Sequence, residues 1–345
     1  MNHTTCRPPR VAIADIACHL PNQVVTNAEL SESFPEWDMD RVAKRAGVLQ
    51  RHIAGPAETA LDLGVAASRA LLDRHPGLVG EIDGIIFCTQ TPDYVMPPNS
   101  CVLQGKLGLR DEVLALDINL ACSGYVYSLA LAEGLIVAGT CTNVLVITAD
   151  TYSRLINPGD RAARTLFGDG AAVTWVRATT DDRTGLLDVL CATSGNGFEN
   201  FFVPAGGART PRSADTAREK VDGSGNVRTD EDVHMDGLGV LSFVRAKVPT
   251  QVRMLLEREG ITVADLDLVV FHQASKLALD VLTKALKLPE DKVFRNLSSI
   301  GNTVSASIPI SLEQARAEGA IAPGSLVLLC GFGVGLSWAS ALVRF

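Results

Sequence analysis

Cys122 lies in a turn between an apolar run and a helical stretch. The sequence reads Leu116-Asp117-Ile118-Asn119-Leu120-Ala121-Cys122-Ser123-Gly124, and a helical pattern follows over residues 125–138. Free amide hydrogens and the helix dipole at a helix N-terminus favour the thiolate, so the pKa of this thiol should fall below about 8.5. Such a thiolate is a nucleophile for acyl transfer, and neighbouring amides can hold the oxyanion. The alternative is a small buried cysteine that only packs.

Two polar residues in the second half of the chain fit the same chemistry. His272 ends the apolar run Val269-Val270-Phe271, and Asn302 lies in the turn Ile300-Gly301-Asn302-Thr303. Alone, the first is typical of a hydrogen-bonded structural histidine and the second of a simple turn. Condensation of two thioesters needs a cysteine to carry the acyl group and two donors for the enolate oxygen that decarboxylation leaves. The three residues therefore predict a condensing enzyme, and this chemistry needs no metal and no bound cofactor.

An internal repeat positions these residues. Three pairs of segments match in the same order, with offsets of 184, 185 and 182 residues: 82–88 with 266–272, 132–134 with 317–319, and 144–147 with 326–329. Each half alternates apolar runs of strand length with helical stretches, which predicts sheets covered by helices on both faces. We therefore expect a layered α/β sandwich of two pseudo-symmetric halves, residues 1–180 and 181–345. The turns of Cys122 and Asn302 should face each other near the axis between them.

The segment 201–236 interrupts the repeat. It is rich in Gly, Pro, Arg, Asp and Thr and lacks an apolar period. Such a composition predicts an inserted surface excursion or lid in the second half.

Composition and charge limit the function classes. Of the 345 residues, 47% are hydrophobic and 20% are charged, which suits one large folded unit or two packed halves. The net charge of −8 argues against general affinity for nucleic acid or for an anionic membrane. The eight cysteines are scattered without a Cys-x-x-Cys pair, a pattern that favours a reduced cytoplasm over a zinc site or a disulfide framework.

The two ends of the chain bear on its location. Residues 1–10 lead into a short apolar stretch without the features of a signal peptide, so export is not expected. Residues 325–343 carry no charge and approach the length of a membrane-spanning helix. However, Gly331, Gly333 and Gly335 alternate through them, which favours two strands around a tight bend over membrane insertion. With only ten residues after Gly335, these glycines cannot open a dinucleotide site, and we interpret them as a close backbone approach to the active site.

Further motifs make the chain resemble the ketoacyl-acyl-carrier-protein synthase III family of the thiolase superfamily over nearly its whole length. The segments that carry the resemblance are, in order, residues 20–27, 51–54, 121–124, 166–171, 272–274, 301–303 and 340–345. Each segment is short, whereas their ordered set is specific.

The resemblance implies a thiolase-like, five-layered αβαβα sandwich in which Cys122 accepts the acyl group. His272 and Asn302 would assist decarboxylation of a malonyl thioester, and the amides of Cys122 and Val334 would form the oxyanion hole. It also implies a homodimer, acyl-CoA as the primer, and acyl carrier protein, with its phosphopantetheine, as the partner. The product would be a 3-oxoacyl thioester for fatty acid, specialised lipid or secondary metabolite biosynthesis.

Some positions depart from the family pattern. Ser275 stands where an asparagine is usual, Leu277 replaces a basic residue, and Ser242 stands in place of a lysine. A basic face of Lys276, Lys284 and Lys287 on the helix after His272 could bind the carrier protein instead. The alternative for these lysines is an ordinary solvated face. The longer spacing from Trp37 to Arg45 also prevents transfer of the family's nucleotide clamp.

Three other functions stay open at this point. The same fold could move an acyl group to an alcohol, amine or other non-malonyl acceptor. A degradative thiolase needs a second cysteine as base, and Cys330 lies one residue away from the expected position, which Gly331 holds. A catalytically silent partner subunit of another synthase is the non-enzyme alternative.

Overall fold

The computed structural model describes residues 10–181 and 183–345. Residues 1–9, which include Cys6 and on which the argument against a signal peptide rests, lie outside the described residues. The strands are β1 (Arg10–His19), β2 (Gln23–Thr26), β3 (Gln50–Ile53), β4 (Gly84–Cys88), β5 (Leu114–Ile118), β6 (Asn143–Asp150), β7 (Gly170–Thr179), β8 (Gly185–Thr193), β9 (Phe201–Phe202), β10 (Lys220–Val221), β11 (Val227–Arg228), β12 (His234–Met235), β13 (Leu268–Phe271), β14 (Leu326–Gly333) and β15 (Ser337–Arg344).

The α-helices alternate with these strands. They are α1 (Asn27–Ser33), α2 (Met39–Ala46), α3 (Ala60–Arg74), α4 (Asn99–Leu107), α5 (Gly124–Val137), α6 (Arg161–Arg164), α7 (Gly237–Arg258), α8 (Lys276–Leu286), α9 (Leu297–Ile300) and α10 (Ser307–Ala317). Side-chain caps fix several of their starts. Thr59 forms a capping box with Asp62 at the start of α3, and Asp236 and Ser275 cap α7 and α8.

Two mixed sheets have similar patterns of strand directions. The first has the order β1-β7-β6-β4-β5, in which β5, β4 and β6 are parallel and β7 and β1 each run antiparallel to the strand before them. The second has the order β13-β14-β15-β8, with one parallel pair where the first sheet has two, followed likewise by two antiparallel pairs. The repeat seen in the sequence is therefore confirmed, because its anchors fall on β4 and β13 and on β6 and β14.

Helices and sheets form five layers. Alternate residues of both sheets face inward onto α5 and α10, which make the middle layer. The other face of the first sheet packs on α3 and α4, and the other face of the second packs on α7 and α8. This αβαβα sandwich of two pseudo-symmetric halves confirms the predicted fold class. The first sheet ends at Thr179 and the second begins at Gly185, while the division into residues 1–180 and 181–345 as folding units stays a prediction.

The segment 201–236 is more than a surface excursion. Its two ends pair as β9 with β12, and its middle forms the hairpin β10–β11. Phe201 and Val233 are buried in the hydrophobic cluster that contains Cys122. The sequence missed this role because the larger apolar residues of the segment lie mainly at its two ends and have no period.

The uncharged segment near the C-terminus forms β14, a bend and β15, as predicted, rather than a helix. Among the described residues, none of the helices has the length and hydropathy needed to cross a bilayer.

Candidate active site

One cavity brings the three predicted catalytic residues together. It has a volume of about 110 Å³, and Cys122, His272 and Asn302 all line it. Cys122 lies in the turn before α5, His272 follows β13, and Asn302 follows α9. The first residue comes from one pseudo-symmetric half and the other two come from the second half. The site therefore lies where the halves meet.

Cys122 is buried beside the end of β14, where the strand enters the glycine-rich bend. A side chain at Gly333 would place its Cβ 3.0 Å from the Cys122 sulfur, and one at Gly331 would overlap the Cys122 carbonyl oxygen. Only glycine leaves room for this contact. The predicted close backbone approach of the glycine-rich bend is therefore confirmed.

The expectation that the pKa of Cys122 is lowered is wrong. Burial raises the pKa of the Cys122 thiol, and the nearby Asp150 carboxylate raises it further, while the Cys122 amide hydrogen acts in the opposite direction. The sequence indicated the helix start but not the depth at which the turn is buried. Cys122 therefore rests as a neutral thiol.

Asp150 is a buried carboxyl group behind Cys122. It accepts hydrogen bonds from the Gln90 amide at 2.8 Å and from the Ser305 hydroxyl at 2.5 Å. Burial nonetheless raises the pKa of Asp150 to about 7. Its charge, and with it the reactivity of Cys122, should change around neutral pH.

His272 is oriented by a hydroxyl from the middle layer. Its Nδ1 lies 2.6 Å from the oxygen of Ser307, the first residue of α10, and both residues are buried. Among the described residues, the one other hydrogen bond of this oxygen comes from the Gln273 amide, so the Ser307 hydroxyl can donate its proton to Nδ1. Nε2 then carries the ring proton. Burial lowers the pKa of His272 to about 3, so the imidazole is neutral at physiological pH.

Asn302 is fixed through its backbone and its side chain. Its backbone amide donates to the carbonyl of Leu166, and its backbone carbonyl accepts from the amide of Gly168, each at 2.9 Å. Its Oδ1 accepts from the amide of Val304, and its Nδ2 donates to the carbonyl of Ala274 at 3.3 Å. Because Nδ2 has two hydrogens, one stays available toward the cavity. Val304 has a φ of 53°, a conformation that β-branched residues rarely adopt, so the surrounding structure must hold this turn against local strain.

The cavity walls are mainly apolar and come largely from elements that the sequence did not single out. Phe167 and Phe332 line it, and Phe201 and Met235 come from the segment 201–236. Leu277, which departs from the family pattern, also lines the cavity and is 43% exposed at its rim. None of these residues has a local sequence pattern that separates a cavity wall from ordinary core.

The remaining predicted positions are not part of the cavity lining. Val334 packs on the cluster that contains Cys122, and its carbonyl accepts a hydrogen bond from Ser337. Lys276, Lys284 and Lys287 are exposed on and after α8 and do not line the cavity. The ammonium of Lys276 pairs with Asp280 at 2.5 Å, which reduces its free charge. Their role in carrier binding stays a prediction.

Cys330 lies apart from the cavity. It is buried in the outer hydrophobic cluster of the second sheet, where the Ser340 hydroxyl contacts its sulfur. Burial raises the pKa of this thiol to about 12. A residue so placed is unsuited to act as the second cysteine of a degradative thiolase.

A second cavity, of about 490 Å³, is lined by three arginines. Arg41 and Arg45 come from α2, and Arg161 begins α6. Ser224 of the segment 201–236 closes one side, and its carbonyl accepts from Arg161 at 3.2 Å. Among the described residues that line this cavity, Asp38 is the one acidic residue. This arrangement suits a polyanion, and the sequence did not reveal it because its arginines come from separate helices.

Comparisons with known proteins identify the family. Residues 116–195 match the family described as 3-oxoacyl-(acyl-carrier-protein) synthase III, and residues 256–345 match its C-terminal region. The beta-ketoacyl-(acyl-carrier-protein) synthase III of Caldanaerobacter subterraneus subsp. tengcongensis is 34% identical over 99% of both chains.

Two solved structures are similar throughout. A crystal structure of a 3-oxoacyl-(acyl-carrier-protein) synthase III has a TM-score of 0.95 and 46% identity, covering 98% of this chain and all of the other. The priming beta-ketosynthase of the R1128 polyketide pathway has a TM-score of 0.85 and 32% identity, covering 98% and 97% of the two chains. This chain is therefore an enzyme of the 3-oxoacyl-(acyl-carrier-protein) synthase III family.

Proposed function

We propose that this enzyme condenses an acyl-CoA primer with malonyl-acyl carrier protein and releases CO₂, giving a 3-oxoacyl thioester. The observation that carries the proposal is the shared cavity of Cys122, His272 and Asn302 in a chain of this family. The names of its relatives give the 3-oxoacyl product and the carrier. We place the product in fatty acid, specialised lipid or secondary metabolite biosynthesis.

In the first step the Cys122 sulfur attacks the thioester carbonyl of acyl-CoA. The negative charge that develops on the carbonyl oxygen is held by the amides of Cys122 and Val334. The acyl–sulfur bond to CoA breaks, and the proton of the Cys122 thiol ends on the CoA thiol. Since the pKa of the Cys122 thiol is raised, attack and loss of this proton should be coupled.

In the second step the malonyl thioester loses CO₂ beside the acylated cysteine. The electrons of the broken carbon–carbon bond form an enolate, whose oxygen accepts hydrogen bonds from Nε2 of His272 and Nδ2 of Asn302. A neutral imidazole suits this role, because it donates without a proton transfer. The enolate carbon then attacks the acyl group on Cys122, the bond between the acyl carbon and the Cys122 sulfur breaks, and the thiolate takes up a proton from solvent.

The arginine-lined cavity supports CoA as the carrier of the primer. A nucleotide with phosphates carries several negative charges, and Arg41, Arg45 and Arg161 have no ion pairs in the described part of the chain. Arginine suits phosphate because its planar fork can donate two parallel hydrogen bonds. The carrier protein would dock on the basic residues near this cavity, including Lys44 of α2 and the lysines of α8.

A sheet edge and a run of exposed apolar side chains support a homodimer. Strand β5 lies at an edge of the first sheet, with a strand partner on one side only among the described residues. Nearby in the chain, Tyr94, Val95 and Met96 are 57%, 105% and 82% exposed, which is unusual for three consecutive apolar side chains. A second copy would cover both features. We also propose a cytoplasmic location, because the seven described cysteines are all free thiols.

The proposal is tested by incubating the enzyme with acetyl-CoA and malonyl-acyl carrier protein and measuring both 3-oxoacyl product and CO₂. We expect Cys122→Ala to abolish product formation. The matched control is Cys330→Ala, which also removes a buried thiol but lies outside the cavity. Equal product from the wild type and Cys122→Ala would remove the proposed nucleophile. Acylation of Cys122 without CO₂ release would instead support transfer to a non-malonyl acceptor.

A further inference from the structure

A third cavity lies behind the acyl site and contains two cationic side chains. It has a volume of about 170 Å³, and both Arg51 and Arg164 line it. Phe167 lines this cavity and the cavity of Cys122 as well, so one aromatic ring borders both spaces. Of the described residues that line it, none is acidic.

Arg51 is a buried guanidinium without an acidic partner in the described part of the chain. Its relative exposure is 0%, and it donates to the carbonyls of Val25 and Thr165 and to Oδ1 of Asn27. These acceptors are all neutral, and the Nε of Arg51 has no hydrogen-bond partner among the described residues. A buried charge with only neutral partners is costly. Burial and the nearby Arg164 lower the pKa of Arg51 to about 10.

Arg164 is similarly unpaired. Its Nε is buried without a hydrogen-bond partner among the described residues, which also provide it with no carboxylate. The guanidinium carbon lies 5.8 Å from the ring centroid of Phe34. Two like charges that face one cavity repel each other, and a bound anion would relieve that repulsion. Arginine pairs donate well to planar carboxylates.

The other walls define the rest of the ligand. Val25, Leu30, Ile53, Ile156 and Phe167 supply apolar surface opposite the two cations. The Ser153 hydroxyl is already used by Asp169, to which it donates at 2.6 Å. An inorganic anion would leave the apolar walls unused. For scale, an apolar cavity of about 150 Å³ in another protein binds benzene, a ligand with about six heavy atoms.

We propose that this cavity, bordered by Arg51, Arg164 and Phe167, binds a carboxylate with a short apolar chain. The carboxylate can come from a free acid such as butyrate, or it can be the far end of a dicarboxylic acyl chain held on Cys122. The second source rests on the proposed function, whereas the first does not.

The first experiment titrates butyrate into the enzyme and follows heat. Its neutral isostere butyramide and inorganic phosphate are titrated separately. Arg164→Gln should weaken butyrate binding roughly tenfold or more, because a charge-assisted hydrogen bond is lost. Arg161→Gln is the matched control, since Arg161 lies in the same helix but lines the other cationic cavity; it should leave butyrate affinity unchanged. Arg164 is half-buried and has no hydrogen bond to lose in the described structure, so this variant should fold.

The second experiment weighs the Cys122 adduct after exposure to glutaryl-CoA or butyryl-CoA. If the carboxylate is the end of an acyl chain, Arg164→Gln lowers loading of glutaryl but not of butyryl. If the wild type loads neither of these thioesters and also fails to load acetyl-CoA, the proposed function is contradicted, while the butyrate titration can still be interpreted. The inference is overturned if Arg164→Gln changes neither butyrate affinity nor glutaryl loading, or if butyramide or phosphate binds as tightly as butyrate at this cavity.

Discussion

Cys88 and His272 hold equivalent places in the two halves of the molecule. Each follows the apolar run of the matching strand, β4 or β13, and each contacts the start of a helix in the middle layer. The Cys88 sulfur lies 3.0 Å from the carbonyl of Leu120 and against Gly124, the first residue of α5, and Cys88 is buried in packing. His272 bonds Ser307, the first residue of α10, and its ring borders the cavity.

The difference between these strand ends shows how one scaffold divides the chemistry. In the first half the helix start carries the proposed nucleophile, Cys122, and the strand end is filled by packing. In the second half the two proposed donors are His272, at the strand end, and Asn302, in the turn between α9 and α10. The halves share their backbone pattern, but each supplies a different step of the proposed reaction.

The largest effect is expected when one of the two proposed hydrogen-bond donors is removed. His272→Ala and Asn302→Ala should each lower the condensation rate about 10²–10³-fold, because each removes one donor to the enolate oxygen. The measurement is the rate of CO₂ release from malonyl-acyl carrier protein.

The control for the donors is Cys88→Ala, which changes the equivalent strand end. We expect its rate to stay within about twofold of the wild type, since Cys88 does not line the cavity. A comparable loss in Cys88→Ala would mean that the strand ends act by packing and not by hydrogen bonding.

Ser307→Ala removes the hydroxyl that orients His272, and so tests whether the strand end of the second half acts through hydrogen bonding. Without it His272 can hold its proton on either nitrogen, and we expect CO₂ release to fall roughly tenfold, as loss of one well-placed hydrogen bond allows. Acylation of Cys122 by acyl-CoA should be unaffected, and Ser307→Thr should restore most of the rate. Ser311→Ala, one turn further along α10, is the matched control. If acylation and CO₂ release fell together, a general packing defect would be the better explanation.

A smaller effect is expected at the segment 201–236, whose hairpin holds α6. Arg228 pairs with the buried Asp160 at 2.5 Å, and Asp160 caps α6, which carries Arg161. Arg228→Ala should raise the KM for acyl-CoA roughly fivefold with little change in kcat, because about 1 kcal/mol of binding corresponds to that factor.

The control for Arg228 lies in the same segment. Arg218 forms an exposed ion pair with Asp215 at 2.8 Å, and Arg218→Ala should leave the KM unchanged. If Arg228→Ala and Arg218→Ala had the same KM for acyl-CoA, the contact between the hairpin and α6 would have no role in primer binding.

The smallest effect concerns the carboxyl group behind the nucleophile. The pKa of Asp150 is raised to about 7, so its negative charge is present above that pH and opposes the Cys122 thiolate. Asp150→Asn should therefore increase the rate of Cys122 alkylation by iodoacetamide about two- to threefold at pH 8.5. At pH 6 Asp150 is largely protonated, and the two proteins should react alike. If the ratio of the alkylation rates of Asp150→Asn and the wild type were the same at pH 6 and pH 8.5, the charge of Asp150 would not be what slows alkylation of Cys122.

The fold and the three central residues were accessible from the sequence because they depend on local patterns. Apolar runs, turns and a repeat with a nearly constant offset are all written along the chain, and they place Cys122, His272 and Asn302 at strand and helix ends. Ser307 was not accessible, since its contact with His272 joins positions 35 residues apart. The same holds for Phe201 and Arg164, which become cavity walls only through tertiary packing. The pKa of Cys122 was predicted in the wrong direction, because a helix start can be recognised in a sequence while its burial cannot.

The central claim is that the first half of the molecule carries the acyl group and the second half drives decarboxylation. Its most direct test is a single turnover in which the Cys122 adduct is weighed, first after acetyl-CoA and then after malonyl-acyl carrier protein. We predict that the wild type gains and then loses the acetyl group, whereas His272→Ala and Asn302→Ala gain it and retain it. Loss of the acetyl group from these variants at the wild-type rate, with 3-oxoacyl product formed, would contradict the claim.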